Sequence, residues 1–152
     1  MKYLFDYLKK HNLKLSTCES FTGGMFANQF TNIPGASNFF TGSFVCYSND
    51  FKIEQVNIDQ EVIKKYSEVS QETLQLMLKN TQEALKTDIC FAFTGWATPI
   101  DKTNKNSGLS YVGFLLKDKI FMFEFIIKHN FSRKKYKKRA IKFVLKEFKK
   151  VS

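Results

Sequence analysis

Apolar positions recur at helical spacing over residues 2–10 and predict a first helix. Leu13 to Cys18 reads as a short strand, broken by Thr22-Gly23-Gly24, after which Met25 to Phe30 begins a second helix. Asn32-Ile33-Pro34-Gly35 is a turn, and the aromatic and β-branched run Phe39 to Tyr47 is a second strand. Ser48-Asn49-Asp50 has the composition of a cap for a short helix. Ser70 opens a longer helix over residues 71–86, with Leu74, Met77, Leu78 and Leu85 on one face. Ile89 to Thr94 is continuously apolar, the mark of a strand buried on both faces. A polar loop fills residues 95–107. Leu109 to Leu116 and Ile120 to Ile127 then form a hairpin joined by Lys117-Asp118-Lys119. Residues 133–150 close the chain as a helix, with Tyr136, Ala140, Val144 and Phe148 spaced by four. Alternating strands and helices with one late hairpin predict an α/β fold: a three-layer α/β/α sandwich around a mixed, partly antiparallel sheet. No linker or repeat interrupts the pattern, so residues 1–152 read as one domain.

Composition changes this picture little. The chain has 152 residues, 43% hydrophobic and 25% charged, within the ordinary range of globular domains. No apolar run approaches the roughly 18–20 residues needed to span a bilayer, and the first residues lack a secretory h-region, so a cytoplasmic location and no membrane partner are expected. Cys18, Cys46 and Cys90 each sit in apolar stretches and are expected to be reduced and buried. His11 and His129 have no partner at ligand spacing, so no metal site is expected. The net charge is +10, but the segment from Arg133 to Lys150 alone holds ten basic residues and one acid, Glu147. A solvated lysine-rich helix face is the preferred reading; a nucleic-acid-binding surface is the alternative.

Four segments carry candidate chemistry. Cys18-Glu19-Ser20-Phe21-Thr22-Gly23-Gly24 joins a strand to a helix, where free N–H groups and two hydroxyls would meet an oxyanion or phosphate. A serine there can act as a nucleophile if a base is near, but for the segment alone an ordinary capped turn is the preferred reading. Phe44 to Lys52 ends a strand in the polar cluster Tyr47-Ser48-Asn49-Asp50, with a lysine just beyond. Phe93-Thr94-Gly95-Trp96 ends the buried strand where a pocket commonly lies; Trp96 itself is expected to be a core or lid residue. Arg133, Lys134, Lys135, Lys137 and Lys138 crowd the start of the last helix, where cations are unfavourable unless that end faces an anion.

Together these segments resemble the CinA C-terminal domain family, whose stand-alone members are nicotinamide mononucleotide deamidases. The family's Ala-Glu-Ser-Cys-Thr-Gly-Gly resembles Cys18 to Gly24, and its Gly-x-x-x-Tyr-Ser-Asn-x-x-Lys resembles Ser43 to Lys52. Its Gly-x-Val-Ser resembles Ser67 to Ser70, its Ser-Gly-x-Ala-Gly-Pro resembles Thr94 to Pro99, and its Pro-Val-Gly-Thr-Val resembles Ser110 to Phe114. Its Arg-x-x-x-Arg resembles Arg133 and Lys137. The resemblance implies hydrolysis of the ring carboxamide to nicotinate mononucleotide and ammonia. Ser20 would be the nucleophile and Lys52 the base, with Tyr47 in support. Glu19, Thr22, Gly23, Gly24, Asn49, Thr94, Gly95, Arg133 and Lys137 would bind the substrate, Arg133 and Lys137 at its phosphate. No cofactor is implied; the expected partner is a small-molecule nucleotide, and a homo-oligomer is the expected state. The family's glycine-rich loop reads here as Ala97-Thr98-Pro99-Ile100-Asp101-Lys102, so side chains at Thr98 and Asp101 would obstruct a substrate wherever that backbone approaches it. A member that binds a nucleotide or a protein without catalysis is therefore a second reading, and a basic nucleic-acid-binding module a third.

Overall fold

Five strands form one sheet in the order β2-β1-β3-β4-β5 in the computed structural model, which describes residues 1–152. The strands are β1 (Leu15–Glu19), β2 (Phe40–Val45), β3 (Ile89–Gly95), β4 (Leu109–Leu116) and β5 (Lys119–Ile126). β1 runs parallel to both β2 and β3, whereas β4 and β5 are antiparallel, so the sheet is mixed as expected. The helices are α1 (Lys2–His11), α2 (Met25–Thr31), α3 (Asn49–Val56), α4 (Gln60–Tyr66), α5 (Gln71–Leu85) and α6 (Arg133–Val151).

The period-two alternation of the strands divides the core into two layers. Leu15, Ile89, Phe91, Phe93, Val112 and Phe114 pack with α1, α2 and α6 on one face. Cys18, Cys90, Ala92 and Leu115 pack with α3 and α5 on the other. A strand such as β3, buried on both sides, has no polar position to spare, which is why its sequence reads as unbroken apolar.

Element ends depart from the hydrophobic pattern for local reasons. β1 starts at Leu15 and not Leu13, because the Leu13 N–H bonds back to Leu8 O at 3.0 Å around a left-handed Asn12 and so closes α1. β2 starts at Phe40 and stops at Val45, short of both expected ends. Cys46 still donates its N–H to Glu19 O at 2.9 Å, but Tyr47 then turns outward and is 60% exposed. The hairpin turn is Lys117-Asp118 alone; Lys119 already pairs with Leu116. The pattern predicts no helix between residues 57 and 69, yet α4 lies there. It buries no residue fully, so it shows no apolar stripe, and Asp59 starts it by accepting the Glu61 N–H at 2.9 Å. The expected serine caps are present: Ser48 accepts from Phe51 N at 3.2 Å and Ser70 from Thr73 N at 3.1 Å.

The connection β1-α2-β2 leads to one side of β1, and β2-α3-α4-α5-β3 returns to its other side. Such a reversal opens a crevice beyond the carboxyl ends of the parallel strands, where ligands bind in open α/β sheets.

Candidate active site

A cavity of about 390 Å³ occupies that crevice, within the usual size of a small-molecule site. Each parallel strand delivers residues to it: Ser20 and Phe21 after β1, Tyr47, Asn49 and Lys52 after β2, and Gly95, Trp96 and Ala97 at the end of β3. Glu68 and Val69 precede α5, Arg133 opens α6, and Pro99, Asp101, Asn104 and Ser107 come from the loop between β3 and β4.

The Ser20 turn is held from several directions. Ser20 N–H donates to Phe93 O at 2.9 Å, tying it to the end of β3, and Gly23 N–H closes the turn onto Ser20 O at 3.0 Å. Gly23 and Gly24 have φ of 60° and 82°, left-handed values that suit glycine, and they turn the chain into α2. Phe21 is buried edge-on against Phe93 and Tyr136, so the residue after Ser20 anchors the turn in the core. Tyr136 is itself fixed through its hydroxyl, 2.9 Å from Ser110 Oγ and 3.0 Å from Gly108 O, and burial pushes its phenol up to about 12. The N–H groups of Phe21, Thr22 and Gly24, in the turn after Ser20, have no hydrogen-bond partner in the protein.

Lys52 is only 2% exposed and forms no ion pair; its Nζ donates to Asn49 Oδ1 at 3.5 Å. A lysine buried this way in the first turns of a helix is rare, because an ammonium loses hydration and gains nothing from the helix N-terminus. Beneath it, Cys46 Sγ lies 3.5 Å from Cys18 Sγ. A hydrogen bond from Cys18 and the Lys52 charge draw the Cys46 thiol down, while burial pushes Cys18 up and Cys90 to about 12. All three cysteines are free and buried. On the open side, Arg133 Nη2 donates to Tyr47 Oη at 3.5 Å.

The structure brings together Ser20, Tyr47, Asn49, Lys52, Gly95 and Arg133, but it places the other expected residues outside the lining. Glu19 is fully buried and its carboxylate accepts the N–H groups of Phe26 at 3.0 Å and Ala27 at 2.8 Å, so it caps α2 from the end of β1. Thr94 donates to Glu68 O at 2.6 Å and thereby positions the Glu68–Val69 segment. Thr22 is buried with its hydroxyl unpartnered. Lys137 reaches back over the turn: a Cβ added to Gly23 would stand 3.3 Å from its Nζ.

The 97–102 loop leaves the cavity open. Thr98 is fully buried, outside the lining, and Asp101 forms part of the wall. The loop is tied by its own side chains: Asp101 Oδ1 accepts from the Thr103 N–H at 2.8 Å and hydroxyl at 2.7 Å, and Asp101 N–H donates to Ser107 Oγ at 2.9 Å. Glu68, Asn104 and Ser107 are lining residues that the sequence reading does not single out as contacts. The available sign for this segment in the sequence is Ser67 at the glycine position of Gly-x-Val-Ser, and Ser67 does have φ 82°, where L-residues are uncommon. No three His, Cys, Asp or Glu side chains are grouped to hold a metal ion, and no helix is long and apolar enough to cross a membrane.

Comparison with known proteins bears on the family and the fold. A "CinA-like protein" of Petrotoga mobilis is 40% identical over 119 residues, covering 78% of this chain and 30% of that protein. A "putative competence-damage inducible protein" of Bacillus cereus is 40% identical over 113 residues, covering 74% of this chain and 27% of that protein. The chain thus spans less than a third of the length of these relatives. Among solved structures, a CinA superfamily protein from Escherichia coli superposes with TM-score 0.90 at 21% identity, over 99% of this chain and 87% of that one. A competence/damage-inducible protein from Agrobacterium tumefaciens gives 0.89 at 23% identity, over 97% and 90%. These two establish the shared fold. The model of the CinA C-terminal domain matches residues 1–152, and the chain belongs to that family.

Proposed function

We propose that this protein is an amidase that hydrolyses the ring carboxamide of nicotinamide mononucleotide to nicotinate mononucleotide and ammonia. The observation that carries the reading is the convergence of Ser20, buried Lys52 and Arg133, from three separate segments, on one cavity at the sheet's reversal point. Ser20 Oγ attacks the carboxamide carbon while Lys52 Nζ takes its proton. The oxyanion that forms needs donors already in place, and the free N–H of Phe21, directly after the nucleophile, is well sited to serve. Collapse of the intermediate breaks the C–N bond, and Lys52 returns the proton to the departing ammonia. Water then hydrolyses the acyl-serine to the carboxylic acid. Arg133, exposed at the open side, supplies the cation for a phosphate monoester, and Tyr47 holds its guanidinium in place.

The test is ammonia release from nicotinamide mononucleotide by the purified protein, with loss in Ser20→Ala and in Lys52→Ala. Absence of turnover at micromolar enzyme would remove the amidase reading. Thermal stabilisation by the nucleotide without turnover would leave a binding domain in its place.

A further inference from the structure

The charge pattern of the cavity says more about its ligand than a phosphate would require. The chain carries 24 basic and 14 acidic residues, so nearby cations are plentiful. Yet two acids, Glu68 and Asp101, line this cavity with no basic group within ion-pair distance, and Lys52 and Arg133 line it with no acid within that distance. Acidic and basic side chains thus line one space with no ion pair between them. Each acid has an oxygen to spare. Asp101 commits Oδ1 to Thr103, and Glu68 accepts from Ser67 Oγ through Oε2 at 3.1 Å; their second oxygens have no partner. The Thr103 hydroxyl and N–H hold Asp101 below the usual carboxylate range, so it carries its charge throughout the neutral region.

The Glu68 segment is also braced through its backbone. Thr94 fixes Glu68 O at 2.6 Å, and Ser70 and Thr73 bind Ser67 O at 3.0 and 2.8 Å, bracing Ser67 at its positive φ of 82°. A phosphate held at Arg133 alone would leave both acids of the lining without a counter-charge. An inner salt answers both signs.

We infer that Glu68 and Asp101 recognise positive charge in the ligand, so that the cavity selects a zwitterionic pyridinium nucleotide over the same nucleotide with an uncharged ring. This rests on the nucleotide-amidase reading and adds to it the oxidation state of the ring. The cationic ring lies toward the acids, while the phosphate lies toward Arg133.

The experiment is titration calorimetry on the Ser20→Ala protein with two ligands, nicotinamide mononucleotide and its 1,4-dihydro form. They share phosphate, ribose and carboxamide and differ in ring charge. The cationic form is expected to bind about tenfold tighter, equivalent to about 1.4 kcal/mol. Adding Glu68→Gln and Asp101→Asn together should bring the two affinities within about twofold, whereas Arg133→Ala should weaken both ligands by a similar factor. Each amide keeps an acceptor for Ser67 or Thr103, so the segments retain their ties. Equal binding of the two ligands to the Ser20→Ala protein, or a preference that survives the paired substitution, would overturn the inference and leave the amidase reading standing. Failure of both ligands to bind would overturn both.

Discussion

Glu19 offers the sharpest separation between a structural and a substrate-binding role. Its carboxylate accepts two backbone N–H groups at the start of α2 and is fully buried. Glu19→Gln preserves side-chain volume but leaves one carbonyl oxygen for two donors. The other N–H then faces an amide nitrogen, which cannot accept. Hydrogen bonds to charged groups contribute about 1.5–3 kcal/mol each, and an orphaned buried donor costs about 1–3 kcal/mol. Allowing the surviving oxygen to keep one bond, the expected loss is about 3 kcal/mol, a large part of the roughly 5–15 kcal/mol that holds a domain folded. At a urea m-value of about 2 kcal/mol per M, the unfolding midpoint should fall by about 1.5 M.

Urea denaturation followed by circular dichroism measures this directly, and substrate affinity is read on the same variant well below its midpoint. A contact between Glu19 and the substrate would give the opposite pattern: weakened binding with an unmoved midpoint. A midpoint change below about 0.3 M would refute the capping account.

Three further outcomes follow from burial and packing. Lys52→Met removes a buried amino group whose sole side-chain hydrogen-bond partner is Asn49; stability should stay within about 1 kcal/mol of the parent or rise, while the proposed amide hydrolysis falls at least about 100-fold, so a variant that unfolds would contradict it. Gly95→Ala would set a Cβ 2.1 Å from Ser110 Cβ and 2.7 Å from its Cα; the overpacking should cost about 2–3 kcal/mol and lower Tm by about 5–10 °C in calorimetry. For the thiols, a pKa raised by folding keeps the thiolate scarce below that value, so Cys18 and Cys90 should resist a chromogenic disulfide reagent at pH 8 and react only in guanidinium; modification of Cys90 in the native protein would count against its burial.

The elements legible in the sequence were those with a one-sided or fully apolar signature. α5 and α6 showed their stripes, β3 its unbroken run, and Ser48 and Ser70 their caps, because each signal depends on neighbours within a turn. α4 lacked any such signature, since it buries nothing completely. The site followed the same rule. Ser20 and its glycine turn could be found locally, but the burial of Lys52 depends on packing from elements remote in sequence. Glu19 illustrates the converse: an acid beside Ser20 invites a chemical role, and only the position of α2 reveals that both its oxygens are already engaged.

The basic start of α6 shows how a local anomaly divides once the fold is known. α6 has no acid in its first turn, and Ser132 caps it by accepting from Lys135 N at 3.4 Å, so nothing in the helix offsets Arg133, Lys134 and Lys135. Arg133 is the member that reaches the cavity, and its bond to Tyr47 links α6 to the segment carrying Lys52. Lys137 instead has its Nζ beside Gly23 and is not part of the cavity lining. Lys135 and Arg139 rest on the ring of Phe131, at 4.3 and 4.4 Å from its centroid, which shelters their charge without any acid. The cations that look like one cluster in the sequence therefore do three different things, and Arg133 alone among them lines the cavity.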